Sequence, residues 1–158
     1  MKANIKTIDS LRLAGIMVKV DSEKGETDFP KYWTEFFKAL SITGNLDGYR
    51  ESFGYSKNYV EEGGRNLFDY LISMRGEDYR KIPEGFIEDV IPGGRYAVYT
   101  YKGEMTPESV REFYNNIYYR WLAEDGLSPS RNECFEHYDS RFKEGSGKSE
   151  YDIWVPVV

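Results

Sequence analysis

Apolar side chains recur at helical spacing in two segments of the chain. In the first segment the apolar positions are Trp33, Phe36, Phe37 and Leu40. Intervals of three and four residues place these side chains on one face of an α-helix. Pro30 suits the first turn, where its missing N–H is not needed, so we predict a helix over residues 30–42.

The second helical segment has its apolar positions at Val110, Phe113, Ile117, Trp121 and Leu122. Thr106 is a typical N-cap residue, and Pro107 suits the first helical position after it. Gly126 marks the point where the chain turns away. These signals predict a second helix over residues 107–122.

The remaining apolar segments are rich in β-branched and aromatic residues, which is typical of β-strands. We predict six strands at Leu11–Val20, Tyr49–Tyr55, Leu67–Met74, Tyr96–Lys102, Glu133–Asp139 and Tyr151–Val157. Polar or glycine-rich stretches separate them at residues 21–28, 61–66 and 143–149. These stretches are short enough to be turns or loop tips rather than domain linkers.

The elements follow the order strand, helix, strand, strand, and the same order then repeats. We therefore predict a single α+β domain over residues 1–158, built from two such units of about 1–80 and 81–158. The units would be related by a pseudo-twofold duplication, with a mostly antiparallel sheet and two main helices. An offset of 83 residues aligns strands of the two halves and places Phe53 opposite Glu136. We expect a ligand cleft at the junction between the halves.

Composition narrows the class of partner. The chain has 3 Trp, 14 Tyr and 9 Phe residues, and its net charge is −6. Tyrosine is amphipathic and suits pocket walls and interfaces, although it is also a good strand former. The basic residues form no run, which argues against direct nucleic-acid binding. The excess of acidic residues favours cationic or neutral partners.

The single cysteine, Cys134, excludes an intramolecular disulfide and fits a reducing compartment. The N-terminal residues lack the apolar core of a signal peptide, and no stretch approaches membrane-spanning length. We therefore expect a cytoplasmic protein that does not contact membranes.

Glu136 is the sharpest candidate for a functional residue. It lies in the middle of a predicted strand, so its side chain shares a face with Cys134 and Tyr138. If that face is the inner one, the carboxylate lies among aromatic rings and needs hydrogen bonds, a cation or a proton. If the face is the outer one, Glu136 is an ordinary solvated residue.

His137 is the only histidine, but it lies on the strand face opposite Cys134. The two side chains cannot converge, so we predict neither a metal site nor Cys–His catalysis, and no cofactor. Gly93 and Gly94 lack the helix and the Lys-Ser/Thr of a phosphate-binding loop, and they indicate a bend or bulge.

Four stretches of the chain resemble one protein family. They are Ile91–Val98, the Cys-Phe-Glu-His-Tyr strand at 134–138, the closing strand Ser149–Val157, and the Pro30 and Trp33 pair of a P-x-x-W helix start. Together they resemble the GyrI-like small-molecule-binding family, the effector domain of many AraC-type and MerR-type multidrug regulators. The resemblance implies two strand–helix–strand–strand units, a ligand pocket that contains Glu136, and a stand-alone sensor module without DNA-binding helices.

Five aromatic residues are candidate walls of the pocket beside Glu136: Tyr138, Tyr96, Trp33, Phe36 and Trp121. A flat cation between aromatic faces gains cation–π and Coulomb energy when a carboxylate lies behind it. Trp33, Phe36 and Trp121 are explained equally well as helix-to-sheet core. Tyr151 and Trp154 point to opposite faces of the last strand, so only one of them can face the pocket.

The leading hypothesis for function is reversible binding of an amphipathic, often cationic, small molecule for sensing or sequestration. A second hypothesis is a hydrolase, because some stand-alone members of the family hydrolyse reactive cyclopropane-bearing toxins; Glu136 would then act as general base. A third is inhibition of a protein partner such as DNA gyrase, the activity from which the family takes its name.

Overall fold

The computed structural model describes residues 1–22, 25–143 and 149–158; the side chains of residues 25–27 are not described. Its strands are β1 (Asn4–Ile8), β2 (Leu11–Asp21), β3 (Ser52–Glu62), β4 (Arg65–Arg75), β5 (Ile87–Ile91), β6 (Gly94–Gly103), β7 (Cys134–Tyr138) and β8 (Ser149–Pro156). Helix α1 spans Gly25–Ile42, α2 spans Pro107–Asn116, and α3 spans Leu122–Glu124. Short 3₁₀ turns lie at Leu46–Gly48 and Gly76–Asp78.

The strands form one antiparallel sheet in the order β1-β6-β8-β7-β3-β4-β2-β5. Each half of the chain supplies the same strand–helix–strand–strand unit, β2-α1-β3-β4 and then β6-α2-β7-β8. The two units meet where β3 pairs with β7 at the centre of the sheet. The predicted α+β class, the duplication and the antiparallel sheet are confirmed.

Two strands were not predicted, and each of them pairs with a strand from the other half of the chain. β1 pairs with β6 of the second half, and β5 pairs with β2 of the first half. Both are short and lie at the two edges of the sheet with mostly exposed residues, so their sequences carry a weak strand pattern. The link from β5 to β6 packs tightly on the link from β1 to β2, because a Cβ on Gly93 would lie 2.8 Å from the Ser10 nitrogen. Gly93 and Gly94, predicted as a bulge or bend within a strand, lie at the break between β5 and β6, where Gly94 has a φ of +140°.

Helix α1 begins at Gly25, five residues before the predicted start, so the prediction of a loop through residue 28 was wrong. Pro30 lies inside the helix rather than in its first turn. The additional turn carries Phe29, whose ring meets Tyr70 edge-on with centroids 4.9 Å apart. The contact between these two rings compensates for the stability that is lost because Pro30 cannot donate a backbone hydrogen bond. Residues 144–148 of the predicted loop at 143–149 lie outside the described residues.

Helix α2 begins as predicted at the Thr106 N-cap and Pro107. The Thr106 hydroxyl accepts from the Ser109 N–H at 3.1 Å, and the Ser109 hydroxyl accepts from the Thr106 N–H at 3.0 Å. After Asn116 the helix widens into a π-helical turn over Ile117–Trp121, and the Leu122 N–H reaches the Ile117 carbonyl. Such wide turns often lie at functional sites.

The sheet has two buried faces. On the helix face, α1 covers a core around Phe36, Leu40 and Ile72, and α2 covers a core around Ile117 and Ile153. The opposite face buries a separate cluster of Leu13, Phe53, Tyr55, Leu71, Ile91, Tyr96, Val98, Phe135 and Trp154. The central strands β3 and β7 therefore lie under the space between the two helices. No helix in the described part of the chain is long and apolar enough to span a membrane.

Candidate functional site

Glu136 lies at the centre of the sheet, in β7, on the helix face. Cys134 and Tyr138 share that face, and Phe135 points to the opposite side. The residue paired with Glu136 across the two halves is Gly54 of β3. The offset of 83 residues makes Phe53 the counterpart of Glu136 in the first half, but Phe53 lies on the opposite face of the sheet and pairs with His137. Of the two alternatives for Glu136, the structure shows the one in which its side chain lies on the inner face of the strand, among aromatic rings.

Three tyrosine hydroxyls donate hydrogen bonds to the Glu136 carboxylate, and each comes from a different element. Tyr70 of β4 donates to Oε1 at 2.5 Å, and Tyr138 of β7 donates to the same oxygen at 3.1 Å. Tyr114 of α2 donates to Oε2 at 2.6 Å. We call Glu136 with these three tyrosines the Glu136 cluster.

Gly54 makes room for this cluster. A Cβ at position 54 would lie 2.1 Å from the Tyr70 hydroxyl oxygen and 2.6 Å from Oε1 of Glu136. Any side chain larger than hydrogen would therefore collide with both partners of their hydrogen bond. The backbone at Gly54 has no positive φ, so the requirement for glycine here is one of space.

Burial raises the pKa of Glu136 above its ordinary value, and the hydrogen bonds from Tyr114, Tyr70 and Tyr138 oppose that rise only in part. The residue as a whole nevertheless keeps partial solvent exposure. Among the described residues, no Lys, Arg or His forms an ion pair or a hydrogen bond with this carboxylate.

Burial and the nearby carboxylate also raise the pKa of each of the three tyrosines well above the ordinary value. The hydroxyls therefore stay protonated and act as donors throughout the physiological pH range. The cluster thus holds one negative charge at the pH where Glu136 is ionised, and that charge is spread over a hydrogen-bonded network.

Of the predicted wall residues, Tyr138 and Trp33 lie at the cluster. The Trp33 ring meets Tyr138 edge-on at 5.2 Å and Tyr70 at 6.5 Å, and it remains partly exposed. Phe36 lies behind Trp33 at 6.0 Å and is fully buried in the core under α1. Of this helical pair, only Trp33 reaches the Glu136 cluster.

Trp121 and Tyr96 are not brought to the cluster. Trp121 is 6% exposed and packs against Tyr99 and Phe113 in the core under α2. Tyr96 lies on the opposite face of the sheet, where its hydroxyl donates to the Pro92 carbonyl at 2.6 Å. These two residues have structural contacts that account for them.

Tyr70, Tyr114 and Gly54 were not predicted as site residues from the sequence. Tyr114 follows Val110 by four residues and precedes Ile117 by three, so helical spacing alone places it on the buried side of α2. Tyr70 and Gly54 carry no such signal, because their roles depend on how β3, β4 and β7 pair.

Cys134 and His137 lie on opposite faces of β7, as predicted. Burial raises the pKa of the Cys134 thiol to about 12, so the thiol stays protonated. The His137 ring stacks on Phe53 at 5.0 Å, and its Nε2 lies 2.7 Å from a Glu51 oxygen. In the described residues, no group of three or more His, Cys, Asp or Glu side chains is arranged to hold a metal ion.

The model of one protein family, described as "Cass2: Integron-associated effector binding protein", matches residues 4–157. The chain belongs to this family. The match covers both strand–helix–strand–strand units and every residue of the Glu136 cluster. The chain is thus an effector-binding domain, which agrees with the GyrI-like resemblance seen in the sequence.

Several known proteins resemble this chain in sequence or fold. The transcriptional regulator BrlR of Pseudomonas aeruginosa is 34% identical over 91 residues, which are 57% of this chain and 33% of BrlR. The chain therefore matches about a third of the length of this curated relative. The solved structure of SAV2435 bound to tetraphenylphosphonium has a TM-score of 0.74 and 18% identity, and the alignment covers 100% of this chain and 94% of SAV2435. The integron cassette protein Cass2 of Vibrio cholerae has a TM-score of 0.64 and 16% identity, with 99% and 96% covered.

Proposed function

We propose that this protein reversibly binds a small, amphipathic organic cation with aromatic groups, and that the Glu136 cluster is the binding site. The observation that carries the proposal is the state of Glu136. The carboxylate is desolvated and without a cationic side-chain partner in the described chain, and the residue as a whole is partly exposed. A ligand cation would supply the missing charge and would recover part of the desolvation free energy.

The surroundings of Glu136 favour an aromatic ligand over a small inorganic ion. Trp33 presents a partly exposed ring beside the carboxylate, edge-on to the buried ring of Tyr138. Cation–π attraction and the carboxylate field act in the same direction on a cation held between them. SAV2435, which shares the fold, was solved with tetraphenylphosphonium, a cation with four aromatic rings. The proposal assigns the same ligand chemistry to this chain.

We further propose that the chain senses or sequesters its ligand without contacting DNA itself. BrlR is a transcriptional regulator, but this chain matches only a third of its length. The net charge of −6 opposes binding to a polyanion. Transcriptional output would then depend on a partner or on further sequence.

Hydrolysis of a reactive ligand is the second candidate function, and one observation favours it. The raised pKa of Glu136 brings the carboxylate closer to the range in which a general base works at neutral pH. Against it, three hydroxyls already occupy most of the positions at which Glu136 could accept a proton from water.

Isothermal titration with tetraphenylphosphonium and with neutral triphenylphosphine oxide tests the proposal. Glu136→Gln keeps the shape and removes the charge, so affinity for the cation should fall by about 1–3 kcal/mol, or roughly five- to 150-fold. Affinity for the neutral compound should stay the same. Glu133→Gln is the matched control, because Glu133 also accepts a tyrosine hydroxyl, that of Tyr55 at 2.5 Å, but on the opposite face.

An equal loss of cation affinity in both variants, or no loss in Glu136→Gln, would remove Glu136 from the site. Mass spectrometry of the ligand after incubation separates binding from hydrolysis. Turnover by the wild type that disappears in Glu136→Gln would favour the hydrolase.

A further inference from the structure

We propose that the Glu136 site selects organic cations that have no N–H donors, such as quaternary ammonium or phosphonium centres, over protonated amines of the same shape. This inference rests on the proposed function, cation binding at Glu136, and adds a rule of selectivity. It follows from the number of hydrogen bonds that the carboxylate already accepts.

An ionised carboxylate offers about four positions at which a donor can bind, two on each oxygen. In the structure both positions on Oε1 are used, by Tyr70 at 2.5 Å and by Tyr138 at 3.1 Å. Oε2 accepts from Tyr114 at 2.6 Å and keeps one position. A ligand can therefore make at most one hydrogen bond to Glu136 without displacing a tyrosine.

A protonated primary amine carries three N–H donors, each of which is hydrogen-bonded to water before binding. When the amine enters the site it loses those water molecules, and in exchange it can form only one hydrogen bond, to the free position on Oε2 of Glu136. A second N–H bond to Glu136 would push a tyrosine hydroxyl away from its acceptor. Tyr70 is 2% exposed and is held between Phe29 and Gly54, so its displaced hydroxyl would be buried without a partner.

A quaternary cation avoids this loss, because it has no donor to satisfy. The electrostatic attraction of Glu136 acts on it without a hydrogen bond, and its alkyl or aryl groups contact the partly exposed ring of Trp33. Aromatic surroundings with a hydrogen-bonded carboxylate behind them are thus suited to a permanent, weakly hydrated charge.

The test compares two cations of one shape by isothermal titration at pH 7: 1-naphthylmethylammonium and (1-naphthylmethyl)trimethylammonium. We expect the wild type to bind the trimethyl compound about ten-fold more tightly or better. Part of this ratio reflects the extra methyl groups, so the decisive quantity is its change in variants. Tyr114→Phe removes one donor and frees a second position on Oε2 for an N–H.

In Tyr114→Phe the preference for the trimethyl compound should shrink at least three-fold, a change on the order of one weak hydrogen bond. Tyr70→Phe frees a position on Oε1 and should act in the same direction, which keeps the test valid if one variant folds poorly. A preference that is absent in the wild type, or unchanged in both variants, overturns the inference while cation binding stands. Failure of the wild type to bind either cation contradicts the proposed function as well.

Discussion

Replacing Gly54 by alanine is the smallest change that tests how the Glu136 cluster is built. The added methyl group would lie 2.1 Å from the Tyr70 hydroxyl oxygen, 2.6 Å from Cζ of Tyr70 and 2.6 Å from Oε1 of Glu136. Carbon and oxygen atoms that are not bonded do not approach within 3.0 Å. The hydroxyl must therefore move by about 0.9 Å, and Oε1 by about 0.4 Å.

A shift of that size stretches the Tyr70–Glu136 hydrogen bond from 2.5 Å to beyond the normal limit of about 3.0 Å for an O–H···O bond. Loss of a hydrogen bond to a charged group, or strain from overpacking, each costs about 1–3 kcal/mol. We expect the free energy of unfolding to fall by about 2 kcal/mol, which lowers the unfolding temperature of a chain of this size by about 4–8 °C. Alanine has the better strand propensity, so local backbone preference predicts the opposite sign.

Urea unfolding followed by fluorescence or circular dichroism measures this difference. Gly76→Ala is the control, because the atom nearest to a Cβ there is 4.0 Å away. The decisive variant is Gly54→Ala in a Tyr70→Leu background. There the colliding atoms of Tyr70 are absent and Oε1 of Glu136, no longer bonded to Tyr70, is free to move away from the methyl group, so the alanine should cost little. The coupling free energy between positions 54 and 70 should exceed about 1 kcal/mol. Equal stability of wild type and Gly54→Ala, or additive effects of the two substitutions, would refute the argument that glycine is required for space.

Three further predictions concern the site and its charge. Burial raises the pKa of Glu136 above its unfolded value, so the stability of the wild type falls as pH rises through the folded pKa. Glu136→Gln should therefore unfold at the same or a higher temperature than the wild type at pH 7. In a pH series of thermal melts, this difference in unfolding temperature should vanish below pH 4.5. Trp33→Leu should weaken tetraphenylphosphonium binding by about 1 kcal/mol or more in calorimetry, whereas Trp121→Leu should act mainly on stability. Fluorescence anisotropy at moderate salt should show no sequence-dependent binding of duplex DNA, and tight, salt-sensitive binding to one duplex would contradict the proposed sensor role.

The fold was largely predictable from the sequence because its central elements have strong patterns. Helix α2 has a cap, a first-turn proline and an apolar stripe, and the structure begins it at Pro107. The turn between β3 and β4 could be placed as well, because Gly63 and Gly64 both adopt positive φ, which the tight turn requires. The edge strands β1 and β5 were missed, since a strand with little buried surface needs no apolar alternation.

The site was predictable only in part, because its chemistry depends on strand register. Strand alternation correctly placed Glu136 and Tyr138 on one face and His137 on the other. An offset that is wrong by one residue, however, put Phe53 where Gly54 stands. One residue of register exchanges the two faces of a strand, so the space for Tyr70 could not be seen without the pairing itself.

Tyr96, predicted as a pocket wall, does not lie at the Glu136 cluster. Aromatic content and family resemblance indicate that rings surround the acid, but they do not say on which side of the sheet each ring lies. Tyr96 is two residues from Val98 and shares its face, opposite the helices. Burial alone cannot distinguish the two sides, because both faces of this sheet are covered.

The number of protons exchanged on ligand binding tests the central claim most directly. A cation that binds next to Glu136 stabilises the ionised carboxylate, so binding at a pH near the raised pKa must release protons. Titration of tetraphenylphosphonium in buffers with different ionisation enthalpies, at several pH values between about 4.5 and 7.5, gives that number. We predict proton release for the wild type and for Glu133→Gln, and none for Glu136→Gln. Binding without proton release at every pH, or the same release from Glu136→Gln, would contradict the claim that the ligand cation meets this carboxylate.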